Sequence, residues 1–171
     1  MDATVEKKAA EKYGVTGYPT IKFFAADGTV EDYQGGRSEQ DFLDFMNKKA
    51  GSQRVAGGLL SVEAGRIPEL DTLAQKFVAT QNQNEKKTLS TQAIELAATL
   101  STKNASAKYY GRFFEKALVT PTFPTTEAAR LAKIIQGKSV NRARLDDFSI
   151  RHNIISVFAD ATTAPSGKDE L

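Results

Sequence analysis

The sequence contains no cysteine and no tryptophan, and only one histidine, in 171 residues. Without a thiolate it can form no disulfide, offer no cysteine nucleophile and build no Cys-ligated zinc or iron–sulfur centre. One histidine also excludes a multi-histidine metal site. Charge of one sign is lacking too: 23 Lys+Arg oppose 21 Asp+Glu, for a net charge of +2. Lys86-Lys87 and the pair Arg142 and Arg144 are scattered, so neither nucleic acid nor an anionic membrane is indicated as a partner. Apolar runs extend only a few residues, which excludes a membrane-spanning helix of about 20 residues. What remains is enough for a packed core. Leu, Ile, Val and Phe make up 39 of the 171 residues, about 23%, above the roughly 20% below which chains tend to stay disordered.

The two ends of the chain point in different directions. Lys168-Asp169-Glu170-Leu171 is a retrieval signal for the lumen of the endoplasmic reticulum, preceded by a small, polar tether from Asp160 to Gly167. Residues 161–171 are therefore expected to be a flexible tail, with the receptor for that signal as one partner. Met1 to Ala10 has none of the apolar core of a signal peptide and reads as the start of an amphipathic helix. A retrieval signal without an entry signal leads us to expect the C-terminal part of a longer precursor, or a truncated gene.

The first fifty residues alternate elements quickly. Val5, Ala9 and Tyr13 mark one helical face, and Gly14 is placed to cap it. Ile21-Lys22-Phe23-Phe24 favours a strand, Asp27-Gly28 a hairpin turn, and Thr29 to Tyr33 the return strand. Ser38-Glu39-Gln40-Asp41 is a capping box ahead of Phe42, Phe45 and Met46. From about Ala56 onward no strand alternation appears, and five helices are predicted. They lie around Pro68 to Val78, Glu85 to Leu100, Ala105 to Val119, Thr125 to Ile135 and Asn141 to Phe158. Pro121 and Pro124 are expected to break the chain before the fourth. The fold class expected is an α+β fragment, helix-strand-strand-helix, followed by an all-α five-helix bundle.

The run Lys12-Tyr13-Gly14-Val15-Thr16-Gly17-Tyr18-Pro19-Thr20-Ile21-Lys22-Phe23-Phe24, with Tyr33-Gln34-Gly35-Gly36-Arg37, resembles the second half of a thioredoxin-fold domain of protein disulfide isomerase. The resemblance covers nearly all of residues 1–50. It implies that Pro19 is cis and that Tyr18 and Pro19 line a substrate groove. It also implies that two further strands and a Cys-x-x-Cys belong upstream, so this chain is expected to be redox-inactive and its half-domain marginal in isolation. Thr126 to Leu131 and Arg144 to Ile155 carry a second likeness, over residues 55–160. They resemble the all-helical C-terminal domain of a non-catalytic endoplasmic reticulum relative and of fungal and plant isomerases. That resemblance implies binding of unfolded or partly folded secretory proteins, with no catalytic residue, metal or cofactor.

Single residues have plainer readings. His152 lies on the apolar side of the last helix without a visible catalytic partner set, so a packed, hydrogen-bonded structural role is expected. Asp146-Asp147 reads as a solvated helix face. Tyr109-Tyr110 and Phe113-Phe114 are expected in the core, a client-binding aromatic patch being the alternative. Asn104-Ala105-Ser106 is a glycosylation sequon, usable in a lumenal protein. The readings left open are a disulfide isomerase relative, a non-catalytic escort module, and a purely structural bundle.

Overall fold

A computed structural model describes residues 7–137 and 140–160. The helix α1 (Lys7–Lys12) leads into a two-stranded antiparallel sheet of β1 (Lys22–Phe24) and β2 (Val30–Asp32), then α2 (Glu39–Ala50). A 3₁₀ turn at Ala56–Gly58 precedes five helices: α3 (Pro68–Ala79), α4 (Gln83–Leu100), α5 (Ala107–Val119), α6 (Phe123–Gln136) and α7 (Arg142–Asp160). The α+β segment followed by a helical bundle is therefore the observed fold class.

Local chemistry accounts for the boundaries. Gly14 ends α1 at φ +63°, letting the Val15 amide return to the Ala10 carbonyl at 2.8 Å. In the hairpin, the Asp27 carboxylate accepts the Thr29 amide at 2.9 Å and Gly28 takes φ +86°. The capping box at Ser38 is formed, with Asp41 in the place more often held by Glu: the Ser38 hydroxyl accepts the Asp41 amide and the Asp41 carboxylate accepts the Ser38 amide. One boundary differs from expectation. Pro124 does not hold the chain out of a helix but lies buried inside the first turn of α6, where a missing amide hydrogen costs nothing. The Thr125 and Thr126 hydroxyls bond back to the Thr122 carbonyl, each at 3.0 Å.

Successive side chains of a strand face opposite sides, and β1 uses both. Phe23 packs edge-on to Phe45 of α2, and Tyr33 stacks on Phe42. Phe24 meets Tyr13 at the end of α1, with ring centroids 5.1 Å apart. The hairpin thus has a helix on each face, although none of residues 7–50 is buried. Among the described residues, every buried hydrophobic one lies between Ala64 and Phe158. There, α3 packs on α4, α4 on α5 and α6 on α7, while α7 returns to touch α3 and α5 and closes the bundle. Phe77, Phe113, Phe114 and Phe158 form its aromatic centre. Among the described residues no helix is long and apolar enough to cross a membrane.

Candidate functional site

Two surfaces qualify. The first is built by the turn between α1 and β1. Thr20 ties this turn by donating its hydroxyl to the Gly17 carbonyl at 2.6 Å, and the Tyr18-Pro19 peptide is cis. Tyr18 is 63% exposed. Pro19 lines a polar cleft of about 360 Å³ with Ile21, Lys22, Tyr33 and Arg37. The Tyr33 hydroxyl donates to the Gly36 carbonyl at 2.7 Å, which holds the far wall. Tyr18 itself borders a separate cleft, together with Lys7 and Glu11 of α1 and with Val15 beyond it.

Beside this turn, β1 has an unpaired edge. Ile21 and Ala25 bond across to Tyr33 and Thr29. Antiparallel pairing alternates, so the backbone groups of Lys22 and Phe24 point away from β2, and no described strand meets them. An open edge flanked by apolar faces is a template for a further strand. Phe24 and Val30 are 56% and 39% exposed, as expected of a sheet that lacks a neighbour.

The second surface is on the bundle, at the corner where α5 passes into α6. Val119, 82% exposed, and Phe123 supply the apolar lining of a groove of about 580 Å³, with Glu115, Lys116, Thr122 and Thr126 beside them. The Lys116 ammonium lies 5.1 Å from the Phe123 ring centroid. Sequence reasoning did not find this groove. The signal available was the pairing of Val119 and Phe123 around Pro121, which keeps two apolar side chains at a turn that none of the described helices covers.

The remaining predicted residues fall as follows. Tyr110, Phe113 and Phe114 are buried, so the aromatic run belongs to the core; only Tyr109 reaches the surface in part. Its hydroxyl donates to Asp147, and the Arg151 guanidinium lies 5.5 Å from its ring centroid. Burial, followed by the Asp147 carboxylate, pushes the Tyr109 hydroxyl above its ordinary pKa. Asp146 corrects the expectation of a solvated pair: both its oxygens bond Arg54, at 2.7 and 2.5 Å. The hydrogen bonds from Arg54 hold the Asp146 carboxyl below the usual carboxylate range. His152 corrects another. Its ring borders a cleft with Arg66, Gln75 and Ser156, and makes no hydrogen bond among the described residues. The Asn104 side chain is exposed, and its oxygen accepts the Ser106 amide at 3.0 Å and the Ser106 hydroxyl at 2.7 Å. Lys168, Asp169, Glu170 and Leu171 lie outside the described residues.

The catalytic repertoire of these surfaces is bounded by chemistry. With no cysteine, neither cleft can carry thiol–disulfide exchange. The first offers an unpaired strand edge and the second an apolar lining.

Comparison with known proteins agrees with this division. Residues 65–158 match the family described as endoplasmic reticulum protein ERp29, C-terminal domain, and residues 1–48 match the thioredoxin family. Protein disulfide isomerase-like 2-2 of Oryza sativa is 38% identical over 161 residues, covering 93% of this chain and 43% of the rice protein. Protein disulfide-isomerase erp38 of Neurospora crassa is 37% identical over 175 residues, covering 99% of this chain and 46% of its own length. The likeness to protein disulfide-isomerase of Drosophila melanogaster is sharper but shorter, 51% over 51 residues. The chain thus spans a little under half the length of the long curated relatives it matches. No solved structure matches. The chain belongs to the ERp29 C-terminal-domain family, joined to a thioredoxin-family segment in the manner of the protein disulfide isomerases.

Proposed function

We propose that this chain is the client-engaging, redox-silent part of a protein-folding factor of the endoplasmic reticulum lumen. The full-length relative would rearrange disulfides in secretory proteins. This chain contributes polypeptide binding at the Tyr18-Pro19 turn and at the bundle groove. The observation that carries the reading is the exposed Tyr18-Pro19 turn at the head of a strand with one open edge. Such a site takes extended chains by their backbone, as an unfolded client presents them. The tail Lys168 to Leu171 suits capture by the retrieval receptor, and a lumenal location makes Asn104 a usable glycan acceptor.

The experiment has two arms. Insulin reduction should show no turnover with this chain at any concentration; turnover would sink the assignment of redox silence. Aggregation of a reduced, unfolding client should be suppressed at stoichiometric excess, and Tyr18→Ala should weaken the suppression. No suppression by the intact chain would remove the binding role.

A second reading, a non-catalytic escort that grips its partner through the bundle alone, is favoured by the exposure of Val119 above Phe123. Val119→Asp separates the two: it abolishes binding under the escort reading and leaves the Tyr18 contribution under the first.

A further inference from the structure

The segment joining the hairpin unit to the bundle is gripped from both sides. Near the end of α2, Asn47 uses both ends of its amide on it. Its oxygen accepts the Arg54 amide at 2.8 Å and the Ser52 hydroxyl at 2.9 Å, while its nitrogen donates to the Arg54 carbonyl at 2.8 Å. At the other end of the same helix, the Glu39 carboxylate accepts the Gly57 amide at 3.0 Å. On the bundle side, Asp146 takes the Arg54 guanidinium in a two-pronged ion pair. Seven residues later, and so two turns along the same helical face, Asn153 donates to the carbonyls of Ser61 at 2.9 Å and Ala64 at 3.1 Å.

The segment between these grips is itself folded. Arg54 pairs with Leu60, the Val55 amide reaches the Leu59 carbonyl at 2.9 Å, and the Ser61 amide reaches the Gln53 carbonyl at 2.8 Å. Gly57 and Gly58 close the loop at φ +74° and +73°. The left-handed backbone at Gly58 calls for glycine, while the nearest atom to a Cβ there is the movable tip of Arg142, at 2.9 Å. The Arg54 guanidinium also donates to the Gly58 carbonyl at 3.0 Å, which joins the folded loop to the ion pair.

We propose that residues 51–64 are a clamp and not a tether, with Arg54 as its pivot: Asn47 holds its backbone, Asp146 holds its side chain, and the hairpin unit is thereby kept at one orientation on the bundle. Planar two-pronged pairing fixes direction as well as distance, which a lysine in the same place could not do. The Tyr18-Pro19 turn and the Val119 groove then keep a constant separation, so a polypeptide reaching both meets a preset span. The clamp stands apart from the functional reading, since it concerns how the two units are joined whatever they bind.

The test uses the whole chain. Trypsin can cut after Arg54, and the clamp should protect that bond in the wild type. Asp146→Ala and Asn47→Ala should each raise the rate of cleavage between Arg54 and Val55 at least tenfold. Arg54→Lys, which keeps a tryptic site but loses the fork, should raise it by about three- to tenfold. Backbone ¹⁵N relaxation supplies the second readout: one tumbling time for residues 7–50 and 64–160 in the wild type, and two in the variants. Independent tumbling in the wild type overturns the proposal, as does cleavage at Arg54 that none of the three changes accelerates. Asn47 lies outside the bundle, so its variant remains decisive even where Asp146→Ala lowers bundle stability.

Discussion

Tyr110 and Asp71 form a hydrogen-bonded pair inside the bundle, the tyrosine hydroxyl of α5 donating to the carboxylate of α3. The same hydroxyl accepts the Ile67 amide at 3.0 Å, and the other Asp71 oxygen accepts the Arg66 guanidinium at 2.9 Å. The Tyr110 ring is fully buried, and its hydroxyl satisfies the Ile67 amide just ahead of α3, where no side chain caps the helix. Tyr110→Phe removes the hydroxyl and leaves the Ile67 amide and one Asp71 oxygen without it. The expected loss is about 1–3 kcal/mol, read from chemical denaturation of the intact chain.

The same pair predicts an alkaline signature. Burial first, and the Asp71 hydrogen bond second, raise the Tyr110 pKa well above the ordinary tyrosine value. A group whose pKa is raised on folding contributes stability that is complete below its unfolded pKa and declines as pH rises beyond it. Melting temperature should therefore fall above about pH 10, the unfolded tyrosine range. Tyr110→Phe should be less stable at neutral pH and should fall less steeply between pH 10 and 11.5. Parallel curves for the two proteins would contradict this.

Acid acts through other groups. Glu127 of α6 accepts two hydrogen bonds from Arg130, both 2.7 Å, and lies 3.6 Å from Arg151 of α7. The Arg130 hydrogen bonds lower its pKa below the usual glutamate value. Its contribution is present above the unfolded pKa near 4.3 and is lost as pH falls through the lowered folded value. Glu127→Gln should cost about 1 kcal/mol at neutral pH, since Arg130 is half exposed and well solvated, and should flatten the stability curve below pH 4.

Gly65 joins the connecting segment to the core at φ +79°, and a Cβ there would sit 2.4 Å from Cγ2 of Ile150. Gly65→Ala combines a left-handed backbone with a clash inside the bundle. It is expected to cost about 2–4 kcal/mol in thermal or chemical unfolding. A melting temperature equal to wild type would show that α7 yields at Ile150.

Phe114 lies between Phe77 and Phe158, with ring centroids at 5.4 and 4.8 Å, and is fully buried. Phe114→Ala is expected to cost about 3–5 kcal/mol, a large share of the roughly 5–15 kcal/mol that holds an ordinary domain together. Circular dichroism should show a lowered and broadened helical transition.

Much of the fold was legible because it is periodic. The aromatic run of α5 repeats at helical spacing, and its buried members are those on one face. The capping box at Ser38 and the turn at Asp27-Gly28 were legible because each completes its bonding within a few residues. Pro124 was misread, since a proline that ends one helix and a proline in the first turn of the next look alike in sequence. The acidic residues of α7 were misread for a different reason. Asp146 looks solvated until a residue 92 positions away is brought against it.

The sequence by itself determined the absence of thiol chemistry, the helical character of residues beyond Pro68 and the family likeness of both segments, because these rest on composition and on short-range spacing. Only the tertiary structure decided that Val119 and Phe123 share an exposed groove, and that Arg54 reaches Asp146. Each of these depends on which side chains long-range packing leaves uncovered or brings together, and no local periodicity encodes that.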